Sequence, residues 1–152
     1  MTTAPENTAT LLATWFGCGK APKAPGTVGS IGALPLHFVL RRLSPGVYAL
    51  TTLGLFVVGV WSAQRESERL EKPDPQSVVI DEVVGALIAM GLAGGGLGTA
   101  LGALALFRVF DIAKPGVIDD VQHVQPEGMG IMLDDVLAGL AAGGLARMLF
   151  RR

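Results

Sequence analysis

Long apolar stretches separated by short polar segments dominate the chain. The stretch from Val83 to Phe107 has 25 residues without a charge, and the stretch from Leu43 to Gln64 has 22. Glycines 94–96 interrupt the first stretch, and each Gly inside a helix costs about 1 kcal/mol relative to Ala. We therefore predict a helical hairpin with arms over 78–93 and 97–114, and further helices over 31–42, 47–70 and 133–150.

The segments between these helices are rich in residues that break regular structure. Residues 17–30 combine several glycines with Pro22 and Pro25, which predicts a shaped loop without regular helix or strand. A second loop is predicted over 115–130, and residues 1–10 are predicted to be a disordered tail. Strand-like alternation is scarce. The predicted fold is therefore all-α, with one domain over 11–152 that forms a compact bundle of about five to six helices.

Successive helices in such a bundle run antiparallel, which decides the end at which each loop lies. On this basis the segments 17–30, 71–82 and 111–135 gather at one end. Asp81 lies 14 residues before Gly95, and Asp111 lies 16 after it, so at ~1.5 Å per residue both are roughly 21–24 Å from the hairpin turn. The opposite end carries arginines and no acidic residue, namely Arg41, Arg42, Arg147, Arg151 and Arg152.

Acidic clusters stand at the edges of the apolar stretches, and we expect them to meet: Asp81–Glu82, Asp111 and Asp134–Asp135. Arg108 and Lys114 flank Asp111 at intervals of three, so the triplet shares one helix face. Adjacent carboxylates repel one another unless they are protonated or bind a cation. Ligand sets made only of oxygen favour Mg²⁺, and Lys and Arg are directed to phosphate. The pattern therefore predicts metal-assisted phosphoester chemistry.

Simpler interpretations of the same residues stay open. Acidic residues in the first turn of a helix complement its dipole, which would explain Asp81–Glu82 or Asp134–Asp135 without any metal. The triplet around Asp111 would equally form a ladder of ion pairs on a solvated helix end. Neither interpretation predicts that the three clusters converge.

The composition raises the question of a membrane. Hydrophobic residues make up 50% of the chain, charged residues only 16%, and the mean hydropathy is +0.50. The two uncharged stretches are long enough to cross ~30 Å of hydrocarbon, although the glycine break leaves hairpin arms too short to cross upright. The net charge of −1 and the pI of about 6.1 give no basic footprint for nucleic acid. Seven lysines and arginines lie at the acidic end and five at the opposite end. This small difference does not determine which end would face the cytoplasm.

Four ordered blocks of sequence make the chain resemble the phosphatidylglycerophosphatase A family from Leu11 to Gly143. The blocks are APGTVGS (24–30), VVIDEVVG (78–85), FRVFDIAKP (107–115) and GMGIMLDDVLAG (128–139). The resemblance implies an all-helical fold with a central helix surrounded by others. It also implies a Mg²⁺-dependent lipid phosphatase that hydrolyses phosphatidylglycerophosphate to phosphatidylglycerol and phosphate. Val117 stands where the family often has a second proline, which affects the geometry of that loop.

The site residues predicted from these blocks fall into three groups. Metal ligands are expected at Asp81, Glu82, Asp134 and Asp135. Catalytic roles are expected for Asp111, Lys114 and Arg108, with the two cations steadying phosphate charge. Donors to the headgroup are expected at Gly26, Thr27, Gly29 and Ser30.

Two alternatives accompany this hypothesis. One is a small helical membrane protein whose intramembrane acids carry protons or cations. The other is a related phosphatase that acts on a smaller phosphomonoester. The expected location is the cell (inner) membrane, as an integral protein with a phospholipid substrate, and the alternative location is a cytoplasmic or peripheral soluble form. The sequence leaves the oligomeric state open.

Overall fold

The computed structural model describes residues 4–150, and within this range all regular secondary structure is helical. The prediction of an all-α fold is therefore confirmed. The described part contains one 3₁₀ turn at Cys18–Lys20 and eight α-helices, more than the five to six predicted: α1 (Ala4–Ala13), α2 (Pro25–Gly32), α3 (Leu34–Leu40), α4 (Pro45–Leu70), α5 (Ile80–Ala93), α6 (Leu97–Ala113), α7 (Val117–Val121) and α8 (Glu127–Phe150).

The N-terminal segment is ordered where a disordered tail was predicted. Helix α1 begins at Ala4, so the prediction is wrong for residues 4–10, while residues 1–3 lie outside the described range. Ala9 and Ala13 are buried, and the Thr10 hydroxyl donates a hydrogen bond of 2.7 Å to the buried Glu66 on α4. Packing against α4 therefore holds a segment whose polar composition alone indicates disorder.

Both predicted loops also contain helix. Pro25 occupies the first turn of α2, where proline's missing N–H costs nothing, so the helix starts inside the segment predicted to be irregular. The short helix α7 lies inside the second predicted loop, and α8 starts at Glu127, six residues earlier than predicted. The hairpin prediction holds, because α5 and α6 meet at Gly94–Gly96 as expected.

Helix α5 is the central helix of the bundle, as the family resemblance implies. It packs most extensively against α8 and also contacts α2, α3, α4 and α6. Small residues allow the close approach of α5 and α8: a Cβ atom at Gly139 would lie 2.5 Å from the backbone oxygen of Gly85. The core around this contact includes Leu87, Met90 and Phe107, all fully buried.

Replacing Gly139 with Ala should therefore destabilise the protein, because the added methyl group meets backbone that cannot move aside. We expect a loss of about 1–3 kcal/mol, the usual cost of overpacking a core. Gly144, on the same helix, has nothing within 4 Å of its Cβ position. The matched Gly144→Ala variant should gain up to ~1 kcal/mol from helix propensity. Thermal unfolding of the two variants checks this, and equal melting temperatures would contradict the packing account.

Apolar side chains also cover much of the outside of the bundle. Helices α4 and α8 have the length and composition of membrane spans, and only 22% of the apolar window of α4 is buried. Leu50 on α4 is 70% exposed and Ile112 on α6 is 72% exposed. Large apolar side chains are therefore exposed along α4 and near the end of α6.

Candidate active site

Five carboxylates from three helices converge at one end of the bundle, which we call the carboxylate end. Asp81 and Glu82 lie in the first turn of α5, Asp111 lies near the end of α6, and Asp134 and Asp135 lie in α8. Oxygens of Asp81, Glu82 and Asp135 lie within 4.8 Å of one another, and so do oxygens of Asp111, Asp134 and Asp135. Asp135 belongs to both groups, so it stands at the centre of the arrangement.

The early start of α8 removes one of the simpler interpretations of these acids. Asp134 and Asp135 are the eighth and ninth residues of α8, whereas the dipole effect is confined to the first turn. The dipole still favours Asp81 and Glu82 at the start of α5. It gives no reason for the two aspartates of α8 to be buried against them.

Several of the converging oxygens lack hydrogen-bond donors. One oxygen each of Asp81, Glu82, Asp134 and Asp135 is buried without a hydrogen-bond partner. Burial raises the pKa of Asp81 well above its usual range, and the charge of Glu82 raises it further. Burial also raises the pKa of Glu82 to about 7. A buried, unpaired carboxylate is costly, so protonation or a bound cation would stabilise the cluster.

Two cationic side chains border the cluster without neutralising it. Arg108 forms an ion pair with Asp111, and its guanidinium lies 3.8 Å from a Glu82 oxygen. Lys114, at the C-cap of α6 with φ of 43°, donates to Asp134 at 2.6 Å. Burial alone would lower the pKa of Lys114, but the bond to Asp134 raises it overall. Lys114 therefore remains charged beside the carboxylates.

Two further polar residues belong to this region and were missed in the sequence. The charge of Asp74, in the loop before α5, contributes to the raised pKa of Lys114. The side-chain oxygen of Gln122 accepts a hydrogen bond of 3.2 Å from Lys114. Asp74 lies in the segment KPDP (72–75), whose prolines predict only the end of a helix and give no indication of a functional residue. Gln122 has no signal in the sequence, because its position depends on how α7 folds.

Helix α2 brings its first turn directly to the cluster. A Cβ atom at Gly26 would lie 2.4 Å from a Glu82 oxygen and 3.1 Å from an Arg108 nitrogen. Pro25 has no N–H, so Gly26 and Thr27 provide the first-turn amides that have no acceptor within the helix. Such amides, at the positive end of a helix, suit an anion. Gly26 therefore belongs to the site, and Thr27 is half-buried beside it.

The other two residues predicted to bind the headgroup have different surroundings. A Cβ atom at Gly29 would lie 2.7 Å from Cβ of Val79, so this glycine allows α2 to pack on the start of α5. The Ser30 side chain is fully buried, and its hydroxyl donates to the Gly26 carbonyl at 2.8 Å. Gly29 and Ser30 thus hold α2 in position, and their direct contact with a headgroup has no support in the geometry.

The chain from residue 11 to residue 150 matches the family model described as Phosphatidylglycerophosphatase A. Phosphatidylglycerophosphatase A of Escherichia coli (strain K12) is 32% identical over 136 residues, which cover 89% of this chain and 79% of the relative. The protein of the same name from Haemophilus influenzae is 37% identical over 134 residues, which cover 87% and 82%.

A third relative carries a different name. The protein from Bacteroides thetaiotaomicron described as a putative phosphatidylinositol-3-phosphatase is 38% identical over 138 residues, which cover 86% of each chain. No solved structure gives a significant match. The family model covers nearly the whole chain and all the helices that carry the converging acids, so this chain belongs to the phosphatidylglycerophosphatase A family.

Proposed function

We propose that this protein is a Mg²⁺-dependent lipid phosphatase that hydrolyses phosphatidylglycerophosphate to phosphatidylglycerol and phosphate. Membership of the family makes the chain an enzyme, a phosphoric monoester hydrolase. The observation that carries the proposal is the convergence of five carboxylates, four of which have a buried, unpaired oxygen, beside Arg108, Lys114 and the first turn of α2.

The donor set fits Mg²⁺. The candidate ligands Asp81, Glu82, Asp111, Asp134 and Asp135 offer only oxygen atoms, the ligand type that Mg²⁺ prefers. Because Asp135 is shared by two groups of three carboxylates, the set has the composition of a site for one or two ions. Asp111, predicted as a catalytic residue, is proposed here as a ligand as well. When bound, Mg²⁺ supplies Lewis acidity and activates water.

The residues around the carboxylates would bind and orient the phosphate. Arg108 faces Glu82 and Asp111 at the point where α2 approaches, so its guanidinium is placed to bind a phosphate oxygen there. The amides of Gly26 and Thr27 would complete the anion site. Lys114 forms an ion pair of 2.6 Å with Asp134 and so adds positive charge beside the group that contains Asp111, Asp134 and Asp135. Charge in the transferring group would be stabilised from both sides.

The proposed location is the cell membrane, with the carboxylate end at the level of the lipid headgroups. Support comes from the two candidate spans α4 and α8 and from exposed apolar side chains such as Leu50 and Ile112. In this placement a phosphate on a lipid headgroup reaches the site without leaving the membrane. The charges at the carboxylate end stay in the polar interface.

Phosphate release from defined lipids in mixed micelles tests the function. We expect the highest kcat/KM for phosphatidylglycerophosphate, with lower values for phosphatidylinositol 3-phosphate and for water-soluble glycerol 3-phosphate. A higher kcat/KM for the inositol lipid would indicate a phosphatidylinositol-3-phosphatase, the activity in the description of the Bacteroides relative. Preference for glycerol 3-phosphate would favour the phosphatase of smaller substrates. Release of no phosphate from any of the three would favour the carrier of protons or cations.

Removal of Mg²⁺ should abolish activity and lower stability together. Without a cation the carboxylates repel one another, so the metal-free protein should unfold at a lower temperature than the Mg²⁺-bound protein. At 100 times the dissociation constant, the added Mg²⁺ should stabilise the fold by about 2.7 kcal/mol. Thermal unfolding with excess chelator, and again after Mg²⁺ is restored, checks both effects. Full phosphate release in excess chelator would contradict the metal proposal.

A further inference from the structure

A groove of about 480 Å³ lies at the opposite end of the bundle from the carboxylates. We call this the hairpin end, because the α5–α6 turn at Gly94–Gly96 lies there. Residues from α3, α4, α5 and α8 line the groove, among them Ala49, Thr52, Ile88, Leu92 and Leu140. The volume is within the ~300–1,000 Å³ of small-molecule sites in proteins. None of the five carboxylates lines it.

The groove exists because α4 and α8 separate toward the hairpin end. At the carboxylate end the two helices are in close contact: a Cβ atom at Gly128 would lie 2.2 Å from the Val60 oxygen, and one at Gly59 would lie 2.5 Å from the Met132 side chain. Nearer the hairpin end, Thr52 of α4, Ile88 of α5 and Leu140 of α8 all line the groove. Ile88 is therefore only half-buried, and Gly91 and Leu92 of the central helix are exposed there.

The inside of the groove is apolar, and its polar groups already have partners. The Tyr48 hydroxyl donates to the Leu87 carbonyl at 2.6 Å and lies 2.9 Å from Nδ1 of His37. The Thr52 hydroxyl donates to the Tyr48 carbonyl. Burial and the neighbouring Arg41 lower the pKa of His37 to about 4, so the ring is neutral. The groove therefore offers an uncharged surface that suits hydrocarbon.

The rim of the groove is positively charged. Arg41 lines the groove, and Arg147 donates to the carbonyl of Leu92, which also lines it. Within residues 4–150, neither arginine forms an ion pair with a carboxylate. Arg42 adds a third guanidinium nearby in the chain, and no acid of the described part lies at this end. An occupant that complements the rim must carry an anionic group next to a hydrocarbon segment.

We propose that this groove binds a phospholipid other than the substrate, with one acyl chain between α4 and α8 and its anionic headgroup at Arg41 and Arg147. A hydrocarbon chain would pack against the exposed side of α5 in the groove. Ile88 and Gly91, which line the groove, lie seven and ten residues after Asp81, so the groove begins ~10 Å along α5 from the carboxylates. The site is thus a second lipid site, separate from the reaction.

Native mass spectrometry of the full chain in detergent tests the proposal. The probes are palmitoyl-oleoyl phosphatidylglycerol and the phosphatidylcholine with the same acyl chains. We expect the wild-type protein to retain one phosphatidylglycerol. The exposed Ala49 lines the groove, so Ala49→Phe should fill it and remove the retained lipid. The double variant Arg41→Gln/Arg147→Gln should weaken phosphatidylglycerol binding about tenfold and leave phosphatidylcholine binding almost unchanged.

Arg65→Gln is the matched control, because Arg65 is an exposed arginine of α4 whose guanidinium lies 3.9 Å from Glu68. It should retain phosphatidylglycerol like the wild type. All variants should hydrolyse phosphatidylglycerophosphate within about twofold of the wild-type rate, a change of only ~0.4 kcal/mol.

Lipid retained by Ala49→Phe, or phosphatidylglycerol binding unchanged in the double variant, would overturn the proposal. So would a raised KM for the substrate in Ala49→Phe, which would assign the groove to the substrate's own acyl chain. Dimers of the wild-type chain that Ala49→Phe abolishes would assign this face to a second copy and overturn it too.

Discussion

Replacing Asp135 with Asn should lower kcat by at least about 10³-fold, a loss of ~4 kcal/mol of transition-state stabilisation. Asp135 is the residue that both groups of converging carboxylates share, and it is 1% exposed. The substitution keeps the shape of the side chain but removes the charge of a proposed metal ligand. The result is measured as the rate of phosphate release at saturating Mg²⁺ and substrate.

The same variant, although slower, should be more stable than the wild type when no metal is present. Removing one of five adjacent carboxylates relieves repulsion and the cost of burying an unpaired charge. The metal-free variant should therefore unfold at a higher temperature than the metal-free wild type, while the rise caused by Mg²⁺ disappears. Asp120→Asn, at an exposed position of α7, is the matched control and should change neither quantity. A slow variant with an unchanged Mg²⁺ effect would contradict a ligand role for Asp135.

Replacing Gly26 with Ala should lower kcat/KM about 10²-fold, because small displacements of positioning groups have effects of that size. The new methyl group would meet the ends of the Glu82 and Arg108 side chains, at 2.4 and 3.1 Å. These ends are flexible, so the fold should persist while the carboxylate and the guanidinium move. Steady-state kinetics together with thermal unfolding separates the two effects.

Gly54→Ala is the matched control for this substitution. Gly54 lies inside α4 with nothing within 4 Å of its Cβ position, so the variant should keep full activity and gain up to ~1 kcal/mol in stability. A Gly26→Ala enzyme with normal kinetics would show that α2 does not need to approach the carboxylates. In that case the first turn of α2 would have no part in binding phosphate.

The convergence of the acids was predictable because it depends on chain lengths. Antiparallel helices and a turn at Gly94–Gly96 determine that Asp81 and Asp111 lie at the same end, whatever the details of packing. The same reasoning placed Asp134 and Asp135 at this end, although it placed the start of α8 too late. The positions of charges along antiparallel helices are therefore enough to predict which charged residues lie at the same end of the bundle.

Features that depend on contacts between helices could not be read from the sequence. The polar residues of α1 indicate disorder until the helix packs on α4 through Thr10 and Glu66. Proline and glycine over 17–30 indicate an irregular loop, yet Pro25 begins α2. Gly29 was predicted only as a donor to the headgroup, and its close packing on Val79 could not be predicted. The groove at the hairpin end depends on the separation of α4 from α8, which no local pattern encodes.

In the proposed membrane location, the unequal lengths of the helices have a consequence for the surrounding lipid. At ~1.5 Å per residue, α4 with 26 residues is about 39 Å long, whereas α5 with 14 residues is about 21 Å long. A bilayer with ~30 Å of hydrocarbon is matched by α4 when that helix tilts, but it is thicker than the hairpin. In the proposed membrane location, lipids beside the hairpin would therefore compress, which would keep headgroups and water at the level of the carboxylates. The enzyme would thin the membrane at the place where it needs water for hydrolysis.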